Sequence, residues 1–229
     1  MRKTYHHSNE LPKALPVFPL LGAILLPRAR LPLNVFEPRY LEMVDKALAT
    51  EDRMIVVVQP NDPAADLGPE HTPPPALYRI GCAGRIVSFM ETDDGRSLIS
   101  LEGVARVRLG DEHTDDIPYR VFDTDFVFYE KDLEADARES EMNRDGLMKA
   151  VKAFTDHHNI SMDFESMNKT KGEALINSLS IIAPYGAREK QALLEADSVV
   201  ERTETLIALT EMALAGGDGA PGSGGGSLQ

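Results

Sequence analysis

The sequence has a single cysteine, Cys82, among its 229 residues. An internal disulfide framework is therefore excluded, which is typical of proteins that fold in a reducing compartment and predicts a cytoplasmic location. Cys82 lies in the apolar run of residues 77–89. A small buried hydrophobic residue is a better interpretation of that position than a nucleophile.

Positive charge is also scarce, because 24 Lys and Arg stand against 37 Asp and Glu, for a formal net charge of −13. Nucleic-acid phosphates are held mainly by Lys and Arg, so this balance argues against a nucleic-acid partner. The acidic surplus is concentrated in residues 111–145. We interpret that stretch as a solvated acidic edge and linker, since the D-x-[DN]-x-[DN]-G pattern of a calcium loop is absent from it.

Residues 14–27 form an uncharged run that superficially resembles the core of a signal peptide. The run is shorter than the roughly 20 apolar residues that a membrane helix needs, and it is interrupted by prolines and a glycine. Arg28 and Arg30 follow where a signal peptide would carry small residues before its cleavage site. We therefore interpret the run as strand and loop of a soluble protein, with no membrane partner.

Signatures of common catalytic sites are missing. The G-x-x-x-x-G-K-[ST] phosphate loop, the G-x-S-x-G elbow and the H-E-x-x-H zinc motif are all absent from the sequence. Ser166 and Lys169 match S-x-x-K, but so short a pattern arises by chance, and we place it in a polar loop before a helix. Asp93 and Asp94 fit an exposed turn better than an acid–base pair. The sequence predicts no catalytic residue, no metal, no cofactor and no enzyme activity.

The first half of the chain is β-rich. Residues 15–20 and the β-branched run at residues 54–58 predict strands, and apolar spacing predicts a helix from about residue 38 to residue 49. Residues 78–109 predict a hairpin, because Asp94-Gly95 is typical of a type I′ turn. Residues 119–129 predict one further strand.

From about residue 131 the pattern becomes helical. Apolar spacing predicts helices ending near residues 157–159, at residues 174–183, at residues 187–196, and from residue 198 to residue 214. Thr170 with Glu173, and Ser198 with Glu201, each match a capping box, in which a hydroxyl and a carboxylate satisfy amides of the first helical turn.

These patterns predict an α+β protein with three parts. Residues 1–130 form a β-rich domain, residues 131–215 an α-helical bundle, and residues 216–229 a disordered Gly/Ser-rich tail.

Several short blocks, in their order along residues 13–215, resemble the N-terminal substrate-binding domain of the Lon protease family. The blocks are Leu15-Pro-Val-Phe-Pro-Leu20, Phe36-Glu-Pro-Arg-Tyr40, Gly81-Cys-Ala-Gly-Arg-Ile86, Glu91-Thr-Asp-Asp-Gly95, Leu101-Glu-Gly-Val104, Asn177-Ser-Leu179 and Glu189-Lys-Gln-Ala-Leu-Leu-Glu195. The resemblance implies a PUA-like β-barrel with a short helix, followed by an α-helical bundle. It also implies recognition of unfolded or partner polypeptides for an ATP-dependent protease.

The chain departs from full-length Lon, because the sequence leaves no room for the ATPase and Ser-Lys protease modules. We therefore expect a stand-alone, non-catalytic recognition module that works as an adaptor or binding protein in protein quality control. The candidate contact residues lie on the loop before the second strand and at the start of the first helix. They are Leu25, Leu26, Arg28, Arg30, Leu31, Glu37, Arg39 and Tyr40. The same pattern also fits core leucines beside solvated arginines.

Two other functions are compatible with the sequence. A groove between barrel and bundle, with Arg85 facing it, would bind a small molecule or carry out hydrolysis. Nucleic-acid binding is suggested only by the PUA-like fold, and the net charge opposes it.

Pro38 ends the strand before it and suits the first helical position. The helix-start signals do not explain Arg39, because the helix dipole disfavours a positive charge near the helix N-terminus. We expect it to serve outward recognition or a salt bridge to the barrel.

Overall fold

The structure is a computed structural model that describes residues 3–62, 74–114, 116–136 and 138–215. The chain divides into two compact units, Met1–Ala135 and Asp136–Gln229, here called the β unit and the helical unit. The division falls a few residues after the predicted boundary at residues 130 and 131. The predicted disordered tail at residues 216–229 lies outside the described residues.

The described residues of the β unit form six strands and one α-helix. These elements are β1 (Ala14–Pro19), β2 (Arg30–Val35), α1 (Pro38–Leu48), β3 (Met54–Val58), β4 (Ile80–Glu91), β5 (Ser97–Glu112) and β6 (Arg120–Asp125). Two 3-10 segments, Ser8–Glu10 and Val127–Leu133, complete the unit. The predicted strand at residues 119–129 is thus a strand only in its first part.

The six strands form one sheet with the order β2-β5-β4-β3-β1-β6. The β1–β3 pair is parallel, and the other pairs are antiparallel. Strand β6 pairs with β5 as well as with β1. The strands β1, β3, β4, β5 and β6 therefore form a closed ring of paired strands. Strand β2 pairs with β5 and lies outside that ring.

The core of the β unit is built from the inward positions of these strands. All five residues of β3 are buried, as expected for a continuous β-branched run. Val17, Val56, Ala83, Ala105 and Val107 belong to one cluster of buried residues and are fully inaccessible to solvent. Small side chains on β4 and β5 allow close packing at the centre of this cluster.

The β4–β5 hairpin turns at the predicted place but with a different turn type. Gly95 has a positive φ of 78°, whereas Asp94 is absent from the positive-φ residues, and a type I′ turn needs both. The Gly95 amide donates to the Thr92 carbonyl (3.0 Å), and the Thr92 amide donates to the Arg96 carbonyl (2.9 Å). This is a type I turn followed by a glycine bulge, so the type I′ assignment was wrong.

Helix α1 starts as the sequence predicts. Glu37 has an extended backbone (ψ 131°) and Pro38 occupies the first helical turn, where its missing amide costs nothing. The buried face consists of Tyr40, Met43, Val44 and Ala47. Met43 was not predicted to lie on that face.

The helical unit contains five α-helices among the described residues. They are α2 (Arg144–His157), α3 (Phe164–Lys169), α4 (Gly172–Ile182), α5 (Ala187–Glu195) and α6 (Val199–Ala215). Sequence reasoning missed α3 and interpreted it as a polar loop. Its start is marked by Asp163, which accepts hydrogen bonds from the Ser166 amide (3.0 Å) and the Ser166 hydroxyl (2.6 Å).

One of the two predicted capping boxes forms in a modified version, because its carboxylate accepts from the residue before the N-cap. Ser198 accepts a hydrogen bond from the Glu201 amide (3.2 Å), and the Glu201 carboxylate accepts from the Asp197 amide (2.7 Å). Thr170 instead ends α3 and donates to the Ser166 carbonyl (2.9 Å). Its predicted box with Glu173 is wrong, because a missed helix already occupies Thr170.

The acidic stretch at residues 111–145 is not simply a solvated linker. It contains β6 and the 3-10 segment Val127–Leu133, and Asp132 within that segment is buried. Among the described helices, none is both long enough and apolar enough to span a membrane.

Candidate functional site

The leucines of the predicted contact surface belong to the core. Leu25 and Leu26 are fully buried, and Leu31 and Tyr40 are nearly so. A Cβ added to Gly84 would lie 2.5 Å from Leu25 Cδ2, and one added to Gly103 would lie 2.0 Å from the Leu26 carbonyl oxygen. Two glycines paired across β4 and β5 therefore make room for this loop against the sheet. Burial removes these four residues from an exposed binding surface, contrary to the expected contacts.

The arginines of the same loop have different surroundings. Arg28 adopts a positive φ of 64°, its amide donates to the Gly103 carbonyl (2.8 Å), and its guanidinium donates to the Asp132 carbonyl (2.5 Å). This side chain thus connects the loop to the 3-10 segment Val127–Leu133. Arg30 is exposed, with Nε 3.5 Å from a Glu102 carboxylate oxygen. Both arginines are exposed residues, although Arg28 is also tethered by these hydrogen bonds.

Glu37 and Arg39 pair with each other at the start of α1. The Arg39 Nη2 and Nε atoms donate to Glu37 Oε2 at 2.8 and 3.0 Å. The Arg39 guanidinium also lies 4.5 Å from the centre of the Tyr40 ring, within cation–π range. Arg39 is therefore held by its neighbours in the chain, which accounts for the residue that sequence reasoning left unexplained.

The 3-10 segment is fixed to the sheet by a buried ion pair. The Asp132 carboxylate accepts from Arg106 Nε (2.8 Å), Nη2 (2.8 Å) and the Arg106 amide (2.9 Å). The Arg106 guanidinium also lies 4.4 Å from the Tyr129 ring centre. Burial opposes the charged form of Arg106, but the hydrogen bonds and charge of Asp132 outweigh it and raise the pKa of the guanidinium.

The β unit does expose apolar side chains elsewhere, at the far end of the β4–β5 hairpin. Register pairs Leu98 with Met90 on one side and with Asn34 on the other. Since strand side chains alternate between faces, Met90, Leu98 and Asn34 share one face, and Phe36 continues the same face two residues after Asn34. The exposed fractions are 58% for Phe36, 56% for Met90 and 38% for Leu98. We call these three residues the hairpin face.

Polar groups border the hairpin face. The Arg96 guanidinium lies 5.8 Å from the Phe36 ring centre and 3.0 Å from the Asp94 carboxylate. Hydrogen bonding from Thr92 lowers the pKa of Asp94, so Asp94 is anionic at neutral pH. Asn34 Oδ1 is the buried side-chain oxygen that lacks a hydrogen-bond partner within the described part of the chain.

The hairpin face was not predicted from the sequence, although Phe36 lies in one of the Lon-like blocks and the strands around it were predicted. An available signal was that Leu98 and Met90 occupy positions where the alternation of an exposed hairpin calls for polar residues. Phe36 gave a similar signal, because it follows the last buried position of β2.

The residues weighed for catalysis do not converge. The Ser166 hydroxyl donates to Asp163, and Lys169 Nζ lies 2.6 Å from Glu165, so the two residues of the S-x-x-K match do not form a dyad. Arg85, expected to face a ligand groove, donates to the Tyr5 hydroxyl. Within the described residues, no group of three His, Cys, Asp or Glu is placed to hold a metal ion.

The chain is similar to a known family of protein domains. A family model for the ATP-dependent protease La (LON) substrate-binding domain matches residues 14–211. The Lon protease of Flavobacterium johnsoniae is 26% identical over 203 residues, which are 87% of this chain and 24% of that protein. Lon protease 1 of Syntrophobacter fumaroxidans is 26% identical over 200 residues, 85% of this chain and 23% of that protein. The chain thus spans about a quarter of the length of these curated relatives.

Two solved structures share the fold. The N-terminal domain of a Mycobacterium avium complex Lon protease superposes with a TM-score of 0.62 at 17% identity, covering 87% of this chain and 98% of that one. A Lon N-terminal domain protein from Xanthomonas campestris gives a TM-score of 0.58 at 24% identity, covering 85% of this chain and 97% of that one. With the family match over most of its length, the chain belongs to the family of the LON substrate-binding domain.

Proposed function

We propose that this chain is a non-catalytic polypeptide-recognition module that binds unfolded or partner polypeptides through the hairpin face. It would act as an adaptor or binding protein in protein quality control in the cytoplasm, together with an ATP-dependent protease. The observation that carries the proposal is that Phe36, which follows β2, and Met90 and Leu98 of the β4–β5 hairpin are all exposed on one face of the sheet. Exposed apolar residues grouped in this way are typical of interaction sites.

The chemistry of the hairpin face fits an extended apolar segment. Large apolar side chains desolvate on contact and supply most of the binding free energy, while polar groups at the rim fix orientation. Arg96 and Asp94 lie at that rim. Family membership supports the polypeptide as the class of ligand.

A binding titration tests the proposal. The probe is a fluorescein-labelled protein kept unfolded by reduction and carboxymethylation, and the readout is fluorescence anisotropy. The triple variant Phe36→Ser, Met90→Ser, Leu98→Ser should weaken binding at least tenfold, because each apolar contact typically contributes about 1 kcal/mol or more at an interface centre. Thermal unfolding should change little, since the three side chains are exposed.

The matched control is Met212→Ser, which removes an exposed methionine of α6 in the helical unit. It should leave the affinity unchanged. Equal affinity of the triple variant and the wild type would overturn the hairpin face as the site. Failure of the wild type to bind the probe would overturn polypeptide recognition itself.

We also propose that the β unit is a PUA-like β-barrel, with the helical unit as the bundle of that family. The support is the ring of pairings through five strands, which closes where β6 meets β5. Hydrogen exchange tests it, because the His113 amide at the end of β5 donates to the Val121 carbonyl of β6 (2.9 Å) and should be protected if the ring is closed. Rapid exchange there would show an open sheet.

A further inference from the structure

The helical unit contains a cavity of about 340 Å³ between α2, α4 and α6. Its floor is formed by Val151, Phe154, Leu179 and Leu206, all of which are buried. Ile160 and Ile182 lie at its mouth and are exposed. The volume lies in the range of pockets that hold small molecules, at roughly twice the 150 Å³ that suffices for benzene.

The lining carries no charged side chain, although charged residues make up 27% of the sequence. Three of its four hydroxyl groups, those of Thr155, Thr210 and Tyr185, use their protons inside the protein, and the fourth belongs to the exposed Ser161. Thr155 donates to the Lys152 carbonyl (3.0 Å) and Thr210 donates to the Leu206 carbonyl (2.7 Å). Tyr185, 2.8 Å from the Thr210 oxygen, is then left to donate to it. The Tyr185 oxygen can still accept one hydrogen bond.

Two backbone amides around the cavity are also paired within the protein. The Ile160 amide donates to the Thr155 carbonyl (2.9 Å), and the Ala183 amide donates to the Leu179 carbonyl (2.9 Å). An extended polypeptide would bring amides and carbonyls that need partners, and an unpaired buried amide costs about 1–3 kcal/mol. A small molecule without such groups avoids that cost. Burial raises the pKa of the Tyr185 phenol, in keeping with its apolar surroundings.

We propose that this cavity is a binding site for a small, uncharged apolar molecule, of the size of two fused rings or a medium-length alkyl chain. A single hydroxyl on that molecule would donate to the Tyr185 oxygen. The floor residues supply the contact area, and Ile160 and Ile182 cover the ligand at the mouth. This site is separate from the hairpin face, which lies in the other unit, and it does not depend on polypeptide binding.

The experiment uses N-phenyl-1-naphthylamine, an uncharged probe whose fluorescence increases in apolar surroundings. The whole chain should bind it saturably at one site. Dodecanol should displace the probe, whereas dodecanoate, which has the same chain length and a negative charge, should compete at least tenfold more weakly. The hairpin-face triple variant should bind the probe as the wild type does, which separates this site from the proposed polypeptide site.

Two variants address the cavity directly. Ala183→Phe fills part of the space and should weaken probe binding at least tenfold. Ile182→Glu places a charge at the exposed mouth without touching the floor, so it should weaken binding even if Ala183→Phe disturbs the fold. Met212→Phe adds a ring at an exposed position of α6 outside the lining and should have no effect.

Three results would overturn the proposal: the absence of saturable probe binding, unchanged affinity in both cavity variants, or equal competition by dodecanol and dodecanoate. Displacement of the probe by an apolar peptide but not by dodecanol would also overturn it, and would assign the cavity to a polypeptide instead.

Discussion

The β unit and the helical unit each bury an arginine, and they satisfy it in different ways. Arg106 in the β unit meets the Asp132 carboxylate with two side-chain hydrogen bonds and a backbone bond. Arg202 in the helical unit donates to the Leu193 carbonyl (2.9 Å) and to the Asn177 side-chain oxygen (3.0 Å). The acceptors of Arg202 thus include uncharged carbonyl and amide oxygens, and the Asp136 carboxylate lies close enough for its charge to interact with the guanidinium.

The two units also differ in how far apart along the chain their polar partners lie. Arg28 and Asp132 are 104 positions apart, and Tyr5 and Asp52 are 47 apart. In the helical unit many side-chain bonds cap a helix or link neighbouring turns, as with Asn143 to the Gly146 amide. The β unit is therefore held by contacts that close long loops, and the helical unit relies more on local ones. Removing single partners tests this difference.

The largest effect is expected for Asp132→Ala. The variant leaves Arg106 buried without its carboxylate, and breaking a buried pair from one side typically costs about 3–5 kcal/mol. The free energy of unfolding from urea denaturation, followed by circular dichroism, should fall by that amount. The double variant Arg106→Met, Asp132→Leu should be less damaging, because neither charge is then buried. A loss below about 1 kcal/mol for Asp132→Ala would show that the pair is not buried in solution.

A smaller loss is expected for Asn177→Ala in the helical unit. The variant removes one uncharged acceptor from Arg202, and a hydrogen bond to a charged group is worth about 1.5–3 kcal/mol. Urea denaturation should show that loss, and Glu204→Ala on the exposed face of α6 serves as the control. If Asn177→Ala were as costly as Asp132→Ala, the distinction between the two arginines would fail.

Local signals explain what could be predicted from the sequence. Pro38 marked the start of α1, Asp94-Gly95 marked the hairpin, and Ser198 marked the start of α6, because each acts through residues a few positions away. The α+β order follows from the same kind of signal. The burial of four of the predicted contact residues could not be predicted, for the opposite reason. Leu25 and Leu26 are buried by Gly84 and Gly103, which lie far along the chain and become neighbours only in the folded sheet.

The long-range contacts of Asp52 predict a pH dependence of the β unit. Burial favours a higher pKa for this carboxyl, but hydrogen bonds from Lys3 (2.8 Å) and Tyr5 (2.6 Å) outweigh it and lower the pKa. A lowered pKa in the folded state stabilises the protein above the unfolded pKa of about 3.9, and that contribution is lost as the pH falls through the folded value. Asp52→Asn should therefore cost about 1 kcal/mol at pH 7.

The measurement compares the free energies of unfolding of the wild type and Asp52→Asn between pH 7 and pH 2.5. The gap between them should be constant at neutral pH and should close in acid below about pH 4. Asp93→Asn, in the exposed turn, is the control and should run parallel to the wild type. A gap that widened in acid would mean that the pKa of Asp52 is raised by folding, contrary to the hydrogen bonds.

The smallest effect distinguishes two residues that looked alike in the sequence. Ser198→Ala removes the acceptor of the Glu201 amide and should cost about 0.5–1 kcal/mol, as for other helix caps. Thr170→Ala removes only an exposed hydroxyl that donates to the Ser166 carbonyl, so it should stay within about 0.5 kcal/mol of the wild type. Thermal unfolding of both variants in one buffer provides the comparison. Equal losses would mean that Thr170 caps α4 in solution and that α3 does not persist, and the local order assigned to the helical unit would need revision at that point.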